Sequence, residues 1–184
     1  MTTAHESVHL LPTATHGQWL LVVDQASRNA AITTCKLVAD VCDTRPGDLP
    51  AREKVFARLL PDYSATDPIT ALEMRLKHDK TVLTTFTNRA HRSLRLVAAN
   101  APIYNSAALS DLAATLVAGN LILAERGNFA GKPRSAIIKL QAATTVPHVQ
   151  RYAHTWLVND AIITVICLHQ LHPASVDGSA ARTR

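Results

Sequence analysis

Aromatic residues are scarce in this chain, with three Phe, two Trp and three Tyr among 184 residues. Sequence-specific recognition of single-stranded nucleic acid wants aromatic stacking platforms, and the core must claim several of these eight side chains, so stacking readout is not expected. Cysteine is equally sparse. Three residues, an odd number with no C-x-x-C pair, argue against a disulfide framework and against a cysteine zinc site. Cys35 and Cys42 lie two helical turns apart, about 10 Å, too far to bridge within one helix, and both read as buried free thiols. Long apolar runs are missing too. The stretch Ala161 to Leu168, interrupted by Thr164, is far short of the ~18 residues of a membrane span. The first residues show no basic stretch followed by an apolar core, so no secretory signal is expected and the chain reads as soluble and intracellular. No nucleophile triad, glycine-rich phosphate loop or dinucleotide fingerprint is present; Gly127-Asn-Phe-Ala-Gly131-Lys132 matches a phosphate loop only in its last two letters. Strand signals are weak throughout, without a hairpin-type Asn-Gly or Asp-Gly turn between apolar runs or sustained alternation.

What the chain does have is helical periodicity. From Asp67 to about Ala98, Ile69, Leu72, Leu76, Leu83, Phe86, Ala90, Leu94 and Val97 fall on one stripe, while Arg75, Lys77, Lys80, Arg89, Arg92 and Arg95 occupy the other face. This predicts one amphipathic helix over 68–98, about 45 Å long, opened by Asp67 as N-cap and Pro68 at the first helical position. Before it, Trp19, Val23, Ala26, Ala30, Thr33, Leu37 and Val41 recur at steps of three and four, which predicts a helix with a narrow seam of small residues. A short helix is expected over Ala51 to Leu60, between Pro50 and Pro61. After Pro102, a helix from Asn105 or Ser106 to Arg126 is expected, with Gly127 as its C-terminal cap. The stretch 127–133 reads as the most flexible internal segment and the best place for a functional loop. Ser135 to Ala143 is open between helix and strand. The last element, Pro147 to His172, is apolar nearly all round in its middle, as a central helix is. The resulting expectation is an all-α fold, a single helical bundle of five to six helices over 17–172, with an extended arm at 1–16 and a tail at 173–184.

Charge is unevenly spread. Residues 1–68 hold six Lys and Arg against eight Asp and Glu, and residues 69–184 hold thirteen against six. Between Lys80 and Arg151 there are nine cationic side chains and two acids, Asp111 and Glu125. Such asymmetry suggests a polyanion or an acidic partner. Arg89, Arg92 and Arg95, in steps of three, drift slowly round a helix and could follow a sugar-phosphate backbone; Lys132, Arg134 and Arg151 extend the constellation.

Histidine chemistry fits less well. His5-Glu6-Ser7-Val8-His9 matches H-E-x-x-H, but no preceding element braces it, and His16 is one position off the third ligand of the longer form. His78-Asp79 has the pairing of a metal-dependent phosphohydrolase, yet no histidine between residues 17 and 77 supplies the upstream ligand. Asp79 falls within the apolar stripe of the long helix, which predicts a bend that exposes it. His148, His154, His169 and His172 flank the last helix at spacings that converge on no single metal, although His169 and His172 could share a face at its C-terminal end. No metal or cofactor is expected.

The run Asn120-Leu-Ile-Leu-Ala-Glu-Arg-Gly127, ending a long helix before a basic loop, resembles coat proteins of helical plant viruses. It covers under a tenth of the chain, and the helix after residue 146 departs from that pattern. The leading expectation is therefore a non-enzymatic, coat-like homo-oligomer that binds RNA or another polyanion through Arg89, Arg92, Arg95, Lys132, Arg134 and Arg151. The alternative is a helical sensor or transcriptional regulator enclosing a small apolar ligand, with Asp79, Asn120 and Asp160 as its polar groups. A metal-dependent hydrolase ranks last.

Overall fold

A computed structural model describes residues 8–43, 55, 58–60, 67–99 and 102–171. Its elements, in chain order, are β1 (His9–Pro12), β2 (Gln18–Val22), α1 (Gln25–Cys42), α2 (Pro68–Val97), β3 (Ile103–Asn105), α3 (Ser106–Arg126), α4 (Arg134–Ala143) and α5 (Pro147–Leu171). Val55, Arg58 and Leu59, inside the expected short helix, are also helical. Residues 1–7 with His5 and Glu6, the prolines at 50 and 61, His172 and the tail at 173–184 lie outside the described residues, as do the side chains of Leu72, Arg75 and Leu76.

The fold is mostly helical, but the all-α expectation needs one correction. Beside the five helices stands a three-stranded antiparallel sheet in the order β1-β2-β3. Part of the segment read as an arm is strand β1, and Trp19, assigned to the first helix, sits in the central strand β2, opposite Tyr104 of β3. Side chains alternate as a one-sided sheet demands. Leu21 and Tyr104 are buried, with Leu10 and Trp19 packed behind them, while Leu11, Leu20 and Ile103 stand in line on the outer face. Strands of three to five residues are too short to show a period, and the connecting turn uses Gly17 at φ 74° rather than Asn-Gly.

Helix boundaries follow local chemistry. The Asp24 carboxylate accepts the Ser27 N–H at 2.6 Å, so α1 begins at Gln25, six residues later than the stripe from Trp19 implied. Its buried face is rotated as well. Ser27, Ala31, Thr34, Cys35 and Val38 face inward, and Ala26 and Thr33 are exposed. Asp67 caps α2 as expected, accepting from Ile69 and Thr70, and Asn105 caps α3 by accepting the Ala108 N–H at 2.8 Å. Contrary to the expected bend, α2 runs unbroken through a half-buried Asp79. At its N-terminal end Ile69 points outward, 71% exposed. Gly127 ends α3 with ordinary helical φ. It is glycine because a Cβ there would collide with the Phe129 ring. Phe129 itself is buried against Ala124, Ile137, Ala153 and Leu157, so the loop read as flexible is pinned by its own aromatic residue.

Helix α3 is the centre, in contact with α1, α2 and α5, while α4 packs on α5. It is also the one described helix long and apolar enough to cross a membrane by length and composition, and over half of that stretch is buried inside the bundle. Three polar residues lock its register. Asn159 of α5 donates to Thr34 Oγ1 of α1 at 3.0 Å and to Asn120 Oδ1 of α3 at 2.9 Å, and Asn120 donates onward to the Trp156 carbonyl at 3.3 Å. Next to Asn120, Gly119 lies against Thr34, and a Cβ at that position would strike the Thr34 methyl.

Replacing an exposed helical Gly by Ala ordinarily adds about 1 kcal/mol of stability. Here Gly119→Ala is expected to cost about 1–3 kcal/mol through overpacking. Adding Thr34→Ser, which removes the methyl but keeps the hydroxyl for Asn159, restores part of that stability. Urea melts of the single and double variants check this; a G119A chain as stable as the parent would contradict the close approach.

Candidate nucleic-acid interface and adjoining groove

Arg89, Arg92 and Arg95 project from the C-terminal half of α2. Between them, Ala90 and Ser93 are buried, and Ser93 Oγ lies 3.4 Å from Thr115 Oγ1 of α3. This contact places Arg89 and Arg92 on either side of Asp111. Arg89 Nε is 3.2 Å from Asp111 Oδ1, and Arg92 approaches Oδ2 with Nη2 at 2.8 Å and Nε at 2.9 Å. One carboxylate thus orders two guanidinium groups, leaving a net positive charge and unused N–H donors. Both arginine side chains remain substantially exposed, at 39% and 50%. Arg95, about one turn further on, is exposed and has no ion pair among the described residues. Partly exposed pairs of this kind contribute about 0–1 kcal/mol, so a phosphate can compete with Asp111 for the same donors.

The other three expected cations lie elsewhere. Lys132 is exposed in the loop after α3, Arg134 begins α4, and Arg151 is exposed in the second turn of α5. Arg134 Nη1 is 3.2 Å from Asp160 Oδ2. Sixteen residues of helix and cap separate Asp111 from Gly127, about 24 Å along α3, so the six residues form two groups at opposite ends of that helix. Arg58 Nε pairs with Glu125 at 2.8 Å near the second group. Of the two acids in the basic segment, Asp111 is the counter-charge that orders Arg89 and Arg92, while Glu125 pairs with Arg58 and Arg134 takes its partner, Asp160, from α5.

Beside the second group, α3, α5 and the loop enclose a half-open groove of about 280 Å³, lined by Val117, Asn120, Leu121, Lys132, Trp156, Asp160 and Ile163 among others. Two of the three polar residues expected around a ligand, Asn120 and Asp160, are there; Asp79, on α2, is not. Asn120 is engaged in the network with Asn159 and Trp156, so its amide serves packing first. Trp156, Val117 and Leu121 were missed by sequence reasoning, because a period identifies an apolar face without saying which part of it stays uncovered.

Comparison with known protein families, curated proteins and solved structures finds no match for this chain. The chemistry must be read from its own residues.

The histidines are dispersed. His9 opens a strand rather than a helix, so the helical geometry that H-E-x-x-H requires does not form at that position. His169 packs edge-on against Trp19 with centroids 4.7 Å apart, His148 lies 6.1 Å from the Tyr152 ring, and His154 Nδ1 bonds Gln141 at 3.0 Å. Among the described residues no three His, Cys, Asp or Glu side chains converge on a site that could hold a metal ion. Tyr104, on β3, is fully buried, and its hydroxyl has no hydrogen-bond partner among the described residues. Burial, reinforced by nearby Cys35 and opposed by Arg28, pushes its ionisation well above the usual phenol range.

Two of the three cysteines are unsuited to nucleophilic work. Burial pushes the Cys35 thiol up to about 12 and that of Cys42 up to about 11, from 9.0. Only Cys167 is exposed. Native protein is expected to react with one equivalent of a thiol reagent quickly and with three after unfolding. Because the folded chain holds the protons of Cys35 and Cys42 more tightly than the unfolded chain, their stabilising contribution is complete below pH 9 and is lost as pH climbs toward about 12. Denaturant melts at neutral and alkaline pH check the sign; a midpoint that rises above pH 9 would contradict it.

Proposed function

We propose that this protein is a self-associating helical subunit that binds RNA or another polyanion without sequence preference, in a coat-like structural role. The observation that carries the reading is the arrangement Arg89–Asp111–Arg92 with Arg95 one turn beyond. The guanidinium groups are ordered in advance by a shared carboxylate, stay accessible, and follow one helix in steps of about 4.5 Å, a spacing at which successive side chains can reach successive phosphates. Among the described residues no exposed Phe, Tyr or Trp of α2 stands beside these arginines, which fits binding by backbone charge. Lys132 and Arg151 add a second cationic region at the far end of α3.

Self-association is supported by apolar side chains left on the surface. Leu11 and Ile103, 48% and 52% exposed, flank Leu20 on the outer face of the sheet, and Ile138 and Leu168 are exposed on the helices. These lie on several faces, as a subunit with more than one neighbour requires.

Size-exclusion chromatography with light scattering, read at 260 and 280 nm before and after nuclease and high salt, tests both halves. A large particle with nuclease-sensitive nucleic acid is expected. Arg89→Gln/Arg92→Gln/Arg95→Gln is expected to keep the fold and to lower the salt dependence of single-strand binding by about two units of log K per log salt, roughly 0.7 for each phosphate no longer neutralised. A clean monomer, or a triple variant that binds with the parent's salt slope, overturns the reading.

A further inference from the structure

We propose that the groove between α3, α5 and the 127–133 loop binds a small apolar carboxylate, a molecule with one anionic head and a body of roughly eight carbons or a single ring. The site is distinct from the arginine cluster and does not rest on polyanion binding.

Two helical stripes form its walls. Val117 and Leu121, one turn apart on α3, face Trp156 and Ile163, two turns apart on α5. Val117 and Leu121 are 46% and 38% exposed, although they belong to the most apolar helix of the bundle. Covering them removes apolar area from water, which is the driving force for an apolar ligand. The volume of about 280 Å³ sits at the low end for small-molecule sites, which restricts the occupant to a short chain or one ring.

The head group follows from charge. Three polar side chains line the groove. Asn120 is bonded to Asn159 and the Trp156 carbonyl. Asp160 is compensated by Arg134 at 3.2 Å. Lys132 has no ion pair among the described residues, so the groove carries one uncompensated positive charge at its rim. An ammonium head would meet that charge as repulsion, and a neutral head would gain only a weaker, singly charged hydrogen bond from it. A carboxylate meets it with a charge-assisted hydrogen bond.

Octanoate is the probe, with octanol and octyltrimethylammonium as controls, titrated into the full-length protein by calorimetry. One octanoate per chain is expected, with Kd on the order of 0.1 mM for a ligand of this size. Lys132→Gln, a loop substitution outside the core, is expected to weaken octanoate about tenfold and leave octanol unchanged, since it removes one charged contact and no apolar wall. Leu121→Trp, which fills the groove, is expected to abolish both. Octanol binding as tightly as octanoate, an unchanged affinity in K132Q, or no saturable heat overturns the proposal. So does a fall in particle mass on L121W without any octanoate binding, which would make the groove a contact between copies. Arg89→Gln/Arg92→Gln/Arg95→Gln is expected to bind octanoate as the parent does, so failure of the polyanion reading leaves this result intact.

Discussion

The hydrogen bonds from Asn159 to Thr34 and Asn120 hold three helices in one relative position. Asn159 is completely buried, as is Thr34, and an amide taken out of water without partners costs a few kcal/mol. Any slide or rotation of α1, α3 or α5 would leave at least one of these groups unsatisfied, so the bundle has one low-energy register. The cost of misalignment exceeds what apolar contacts, which are non-directional, can enforce. Gly119 completes the constraint, since α1 and α3 come close enough for the network only where one side has no Cβ.

The remaining features inherit that register. With α3 fixed against α1, Thr115 meets Ser93 and Asp111 faces the flank of α2 where Arg89 and Arg92 emerge. The opposite flank of α3 then carries Val117 and Leu121 outward beside α5, with Trp156 and Ile163 across from them. The loop after α3 is short and ends on Pro133, and the buried Phe129 ties it down, which leaves Lys132 at the mouth of the groove. Asn128, at φ 55°, takes the left-handed turn that the loop needs, a conformation asparagine tolerates better than most residues. Cationic groups and apolar groove are thus consequences of one packing arrangement.

Electrostatics in this molecule orient side chains more than they stabilise the fold. Each ion pair between described residues involves a side chain exposed by more than a third, where solvent screens most of the Coulomb energy. The same weakness makes the pairs exchangeable. A guanidinium held by the 22%-exposed Asp111 carboxylate keeps its rotamer ordered, and its own exposure means that exchanging this partner for another anion forfeits little Coulomb energy.

The sequence determined the three longest helices and the capped starts of α2 and α3, but not the start of α1 or the helical state of 135–143. Asp67-Pro68, Asn105-Ser106 and Gly127 mark boundaries through interactions within a few residues, and a period near 3.6 persists over 20 or 30 positions regardless of what packs against it. It also determined the local charge excess and the absence of a disulfide framework. Tertiary structure decided the rest. The sheet depends on pairing residue 20 with residue 103, a contact that no local pattern encodes in strands so short. The rotated seam of α1 was set by Thr34 reaching Asn159, so a polar residue marked the buried face where hydrophobicity alone pointed to its neighbours. The division of the cations into two groups, and the groove at one of them, arose from the length of α3 and from which stretch of its apolar surface no neighbouring helix covers. A sequence states what a helix face is made of; only packing states whether that face is shared.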